Sequence, residues 1–115
     1  AAVFVSFGDS RGGFYRQKPS REEIISAWEH FQSEPQRLKL PSAPERLIRY
    51  FREEDRPQPR LDRMTGAGMS VCAGRLREDP VFDYKFISLA HNSLRGAAGG
   101  SVLLAELLAA KGYFD

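Results

Sequence analysis

The sequence predicts an α+β domain, an antiparallel or mixed sheet with helices on one face. Three observations predict it. Met69 to Arg77 and Tyr84 to Leu89 alternate in hydrophobicity across the turn residues Glu78-Asp79-Pro80, as in a hairpin. Val3, Val5 and Phe7 alternate with Phe4 and Ser6, as in a further strand. Two other stretches, Ile24-Ile25-Trp28-Phe31 and Val102-Leu103-Leu107-Leu108, repeat at helical spacing.

Taken in order, the first strand spans residues 2–7. It has little polarity on either face, which predicts burial on both sides. Gly8-Asp9-Ser10-Arg11-Gly12-Gly13 is turn chemistry. A helix follows near residues 20–32, with Ser20 as N-cap and Glu23 three positions on, the spacing of a capping box. Glu22, Glu23, Glu29 and His30 face water, Trp28 and Phe31 face the core, and Pro35 disfavours continuation past Ser33. Prolines then punctuate residues 35–66. Within them Leu47 to Phe51 fits a strand or one helical turn, its β-branched and aromatic content favouring an edge strand. Arg56-Pro57-Gln58-Pro59-Arg60-Leu61-Asp62-Arg63 reads as an extended charged loop. Its three arginines could bind phosphate, but local Asp–Arg pairing on a solvated connector is the stronger expectation.

Strands follow over residues 68–77 and 83–90. Cys72 lies mid-strand with no histidine near it in sequence, which fits a small buried apolar residue rather than a nucleophile. The last helix covers residues 97–111. It starts in Gly96-Ala97-Ala98-Gly99-Gly100 and ends with Lys111 in its last turn and Gly112 beyond it. A glycine-rich helix start can cradle phosphate. Here the GxGxxG spacing and the P-loop lysine are missing, so close packing against another backbone is preferred.

Composition sets bounds. The chain has 115 residues, 42% of them hydrophobic and 28% charged, which suits one folded domain and argues against disorder. Lys and Arg number 17 against 15 Asp and Glu, with the signs interspersed, so no basic stripe marks a nucleic-acid face. One cysteine excludes an internal disulfide, makes a cysteine-based zinc site unlikely to form, and fits a reducing compartment. No run reaches the ~20 apolar residues of a membrane span, and the opening residues lack the basic head and apolar centre of a signal peptide. The chain opens directly in a strand pattern, Ala1-Ala2-Val3-Phe4-Val5, which suggests a piece of a longer protein.

His91-Asn92-Ser93-Leu94-Arg95-Gly96-Ala97-Ala98-Gly99-Gly100, followed by a Leu-Ala-Glu helix ending Ala110-Lys111-Gly112-Tyr113, resembles the C-terminus of aspartate-semialdehyde dehydrogenases of the fungal and archaeal branch. Asp55 to Arg63, Gly68-Met69-Ser70-Val71, Gly74-Arg75-Leu76-Arg77 and Pro41-Ser42-Ala43-Pro44 match that branch in order and spacing. The resemblance implies a strand over Leu47 to Arg52 and a fold similar to part of the C-terminal domain of glyceraldehyde-3-phosphate dehydrogenases. Residues 1–115 would form the C-terminal part of a catalytic and dimerisation domain. The N-terminal NADP-binding domain lies outside this chain, and the final helix would return to pack against it.

The implied activity is the NADPH-dependent reductive dephosphorylation of β-aspartyl phosphate to aspartate semialdehyde, in the biosynthesis of lysine, threonine, methionine and isoleucine. A cysteine thiolate forms a thioester, a histidine moves protons, an arginine holds the substrate carboxylate and the nicotinamide delivers hydride. None of the three side chains is expected here. The family's nucleophile loop does not surround Cys72, the histidine and arginine would precede Ala1, and His91 matches a different position. No metal ligand is expected either. One contact carries over: Asn92 matches an amide-bearing position that contacts the nicotinamide end of NADP, where an amide can both donate and accept. The alternative for Asn92 is a helix cap or turn residue.

The isolated chain is therefore expected to be inactive and to hold NADP weakly. It is expected to be a homodimer of the cytoplasm, acting on a small molecule in the full-length enzyme, with no nucleic acid and no membrane. Val102, Leu103, Leu107 and Leu108 are expected to lose cover without the cofactor domain. Two alternatives stand beside this. One is a stand-alone dimerisation or binding module using the exposed sheet face. The other is phosphate or nucleic-acid binding through Arg56, Arg60 and Arg63.

Overall fold

The computed structural model describes residues 1–8 and 18–115. From Asp9 on, the turn expected at Gly8 to Gly13 lies outside the described residues. The elements are β1 (Ala2–Val5), α1 (Arg21–His30), α2 (Glu34–Arg37), β2 (Ile48–Phe51), α3 (Pro59–Asp62), β3 (Val71–Glu78), β4 (Tyr84–Leu89), a π turn (Leu94–Ala98) and α4 (Gly99–Ala110). The strands form one mixed sheet in the order β1-β4-β3-β2. β3 and β4 form the expected antiparallel hairpin, β1 adds antiparallel to β4, and β2 adds parallel to β3.

α1 forms because its signals agree. Ser20 accepts the Glu23 N–H at 3.2 Å, so the expected cap is made. Ile24, Ile25 and Trp28 then cover one face of the sheet against Tyr50, Ala73, Leu76, Tyr84 and Phe86. Trp28 lies 4.9 Å from the Phe86 ring and 5.8 Å from the Tyr50 ring. Ala73 and Leu76 share this face although they are three residues apart, because β3 shifts register between Gly74 and Arg77 and Arg75 takes φ 56°. The shift leaves ladder groups to satisfy. Tyr50 Oη accepts the Leu76 N–H at 3.2 Å, and Arg21 Nε donates to the Leu76 carbonyl at 2.8 Å.

The opposite face is covered unevenly. Over β2 and β3 the chain from Arg56 to Asp62 lies against Cys72 and Gly74, so closely that a Cβ on Gly74 would run into the Arg56 carbonyl and Pro57 Cδ. Over β4 and β1 this face is open: Phe4 is 53% exposed and Ile87 and Leu89 are half-buried. Two-sided burial of the first strand is thus corrected. β1 is an edge strand, exposed on alternate residues, and no described element lies over Phe4's side.

α4 packs apart from α1. Leu103 joins Leu40 and Met69 in a second apolar cluster, with Ala43, Leu94 and Leu107 around it. Leu107 and Leu108 are half-buried, while Val102 and Leu104 are exposed, so cover is lost on part of the helix and kept on Leu103. α1 ends at His30, before Pro35, which sits in the first turn of α2, where a missing N–H costs nothing.

Candidate functional site

The candidate site is the turn that links β4 to α4. β4 ends at Leu89, and Ala1 pairs with Ser88 through bonds of 2.7 and 2.8 Å, so β1 begins beside this turn. His91 is half-buried and Asn92 and Ser93 are exposed. The backbone then makes a π turn, a rare conformation found often at functional sites. The Gly96 N–H donates to the His91 carbonyl at 3.1 Å and the Ala98 N–H to the Ser93 carbonyl at 2.9 Å.

Small residues let this turn sit against the second cluster. A Cβ on Gly99 would meet Met69 Sδ and lie 2.7 Å from the Leu94 carbonyl, and one on Gly68 (φ 80°) would strike the Leu94 side chain. Of the glycines at this helix start, Gly99 serves close packing, against the Met69 side chain and the Leu94 carbonyl of its own turn rather than against another element's backbone.

Asn92 is placed at the exposed crest of the turn. Its side chain makes no hydrogen bond among the described residues, so it caps no helix there, and it is a turn residue by position. The cap is His91, whose Nδ1 accepts the Leu94 N–H at 3.1 Å. Sequence reasoning missed this role. The signal was the three-residue spacing to a helical N–H, hidden because histidine is not among the usual capping residues.

The other candidate residues do not join this site. Cys72 is 1% exposed, its thiol donates weakly to the Asp62 carbonyl at 3.6 Å, and burial pushes its pKa up. His30 lies on the exposed end of α1, its Nδ1 2.8 Å from the Ser26 carbonyl. Arg56 is spent: its guanidinium pairs through two nitrogens with the buried Asp62 carboxylate and lies 5.1 Å from the Phe51 ring centre. Phosphate binding by Arg56, Arg60 and Arg63 together is thus corrected, since only Arg60 and Arg63 of the three stay exposed. Asp62 also accepts the Gln58 N–H at 2.7 Å, and α3 turns what was expected to be an extended loop into a compact one. Among the described residues no group of three or more His, Cys, Asp and Glu side chains could hold a metal ion, and no helix is long and apolar enough to cross a membrane.

Comparison with known proteins gives the family of the chain. A family model described as the semialdehyde dehydrogenase dimerisation domain matches residues 2–95. An aspartate-semialdehyde dehydrogenase of Aspergillus fumigatus is 50% identical over 101 residues, 85% of this chain and 28% of that protein. A malonyl CoA reductase (NADP) of Metallosphaera sedula is 46% identical over 103 residues, 88% of this chain and 29% of that protein. The crystal structure of aspartate semialdehyde dehydrogenase with NADP from Candida albicans superposes with a TM-score of 0.75 at 41% identity, over 85% of this chain and 27% of that one. The chain thus spans less than a third of the length of the relatives it matches. The family match reaches from β1 into the π turn, and so takes in both the sheet and the Asn92 crest: the chain belongs to the semialdehyde dehydrogenase dimerisation-domain family.

Proposed function

We propose that the chain is the C-terminal part of the catalytic and dimerisation domain of an NADP-dependent aspartate-semialdehyde dehydrogenase. The observation that carries this is the 50% identity to such an enzyme across 85% of the chain. The reaction is the reductive dephosphorylation of β-aspartyl phosphate, placing the protein in the cytoplasmic biosynthesis of lysine, threonine, methionine and isoleucine. Its nucleophile, acid/base histidine and substrate arginine belong to the rest of a longer protein, so these 115 residues alone do not turn over. NADPH would supply the hydride when bound. The chain's own contribution is to hold and orient it. Asn92 offers an exposed amide with no side-chain partner among the described residues, which fits a carboxamide that needs one donor and one acceptor.

The dimerisation-domain family supports a homodimer, and the open sheet face over β4 and β1 offers the surface for it. A stand-alone dimerisation module is not favoured, because the relatives that match are enzymes.

A second activity is favoured by one observation. The malonyl CoA reductase (NADP) is nearly as similar, at 46% identity. Steady-state assay of the full-length protein separates the two. NADP reduction that requires both aspartate semialdehyde and phosphate supports the proposal. NADPH oxidation with malonyl CoA and none with the aspartyl substrate pair overturns it in favour of the second.

A further inference from the structure

We propose that His91 is a positioning residue for the cofactor grip: its imidazole latches the turn that presents Asn92. This rests on the Asn92 reading above and adds the device that makes it work. Leu94 N–H is the first donor of the π turn, and Ser93, at the cap position, makes no side-chain cap bond. The donor is taken instead by His91 Nδ1 at 3.1 Å. The Nδ1 lone pair is what accepts this bond.

The latch closes over two residues only, Asn92 and Ser93, both exposed. Its far end does not move freely. The Leu94 side chain packs against the cluster of Leu40, Met69 and Leu103, and the missing side chain of Gly68 gives it room. Its near end is fixed by the His91 carbonyl, which accepts the Gly96 N–H at 3.1 Å. Asn92 is therefore strung between two anchored residues, and the imidazole is the bond that joins them. An amide that must meet a carboxamide in one orientation gains from such preorganisation. Removing the acceptor loosens the crest without touching the fold beneath it.

The test uses the full-length protein and reads the KM for NADP, the KM for aspartate semialdehyde and kcat. His91→Leu, which removes the acceptor, is expected to raise the KM for NADP about fivefold, the scale of one lost cap bond, with the KM for the aldehyde unchanged. His91→Asn, which restores a cap acceptor, is expected to stay within about twofold of the parent. Adding His91→Leu to Asn92→Ala is expected to cost nothing further, since there is then no amide to position. Amide exchange at Leu94 is expected to quicken in His91→Leu and not in His91→Asn, a reading that survives any loss of activity. An Asn92→Ala protein with unchanged affinity for NADP overturns the Asn92 reading and this proposal with it. If Asn92→Ala weakens NADP binding, the His91 role alone is overturned by an unaffected His91→Leu, by a His91→Asn as poor as His91→Leu, or by additive losses in the double variant.

Discussion

Asp62 is a carboxylate that is 2% exposed, and it stays charged because its partners are fixed around it. The Arg56 guanidinium is the main cause of a pKa held below the ordinary aspartate range, aided by the Gln58 N–H. In the unfolded chain the group returns to about 4. A depressed folded pKa means that the stabilisation is fully present above the unfolded value and is lost as pH falls through the folded one. Asp62→Ala is expected to cost about 2–3 kcal/mol at neutral pH, because it leaves Arg56 and the Gln58 N–H unpaired. Asp62→Asn should flatten the loss of thermal stability between about pH 5 and pH 2 relative to the parent. Glu22 and Asp79 are also depressed, by Arg52 and by the Phe82 N–H respectively, and act in the same direction, so the comparison with Asp62→Asn isolates the one group. Cys72 gives the opposite case. Burial raises its pKa and hides the sulfur, so a disulfide reagent should label the native chain far more slowly than the denatured one. Both residues were partly legible in the sequence. The apolar strand around Cys72 announced its burial, and the loop's mixed charges announced Asp–Arg pairing. Which arginine pairs was not legible, because that depends on Arg56 and Pro57 folding back over Gly74 while Asp62 lies against Cys72.

Elements were legible where local signals were sufficient. Ser20 with Glu23 marked the start of α1, and alternation across Glu78-Asp79-Pro80 marked the hairpin. The parallel pairing of β2 with β3 was not legible, since side-chain alternation is the same for either direction. The break in β3 was hidden for a related reason: a bulge is set by what the neighbouring strand and helix supply. Tyr50 is that supply. Its hydroxyl accepts the Leu76 N–H and also receives the Arg21 Nη2 donor at 3.2 Å, so a residue that reads as a plain aromatic strand former holds the bulge and α1 together. Tyr50→Phe keeps the ring packing against Trp28 but strands a buried N–H. It should lower unfolding free energy by about 1–3 kcal/mol in urea denaturation followed by Trp28 fluorescence. A loss no larger than that of an exposed substitution would show that the bulge is held by Arg21 alone. The site followed the same division. The family motif points to Asn92 as the proposed cofactor contact, whereas the proposed His91 latch has no local signal, because its bond to Leu94 exists only once the π turn has formed.

At the scale of the whole molecule the chain has more surface to cover than it can cover by itself. Its radius of gyration is 16.3 Å, against about 13 Å for a compact domain of this length. Its shortest extent is 20 Å, room for a sheet and one helix layer. Among the large side chains described, Ile25, Asp62 and Cys72 are fully buried, which is a small core. Part of the apolar surface left over gathers on the open sheet face. Phe4 and Phe82 lie 5.7 Å apart, and Ile87 and Leu89 continue the open face along β4. A monomer rarely leaves such a patch bare, and a two-fold partner presenting the same face is the commonest way to cover it. Val102, Leu104, Tyr113 and Phe114 are exposed on and beyond α4 and make a second candidate surface. The two surfaces can be told apart by substitution. Phe4 is half-exposed in the single chain, so Phe4→Lys should leave monomer stability nearly unchanged while placing a charge in the centre of the proposed dimer face. Light scattering should then show a dimer for the parent and for Val102→Lys, and a monomer for Phe4→Lys. A parent that stays monomeric at high concentration, or a dimer that survives Phe4→Lys and falls apart with Val102→Lys, would move the interface from the open sheet to α4.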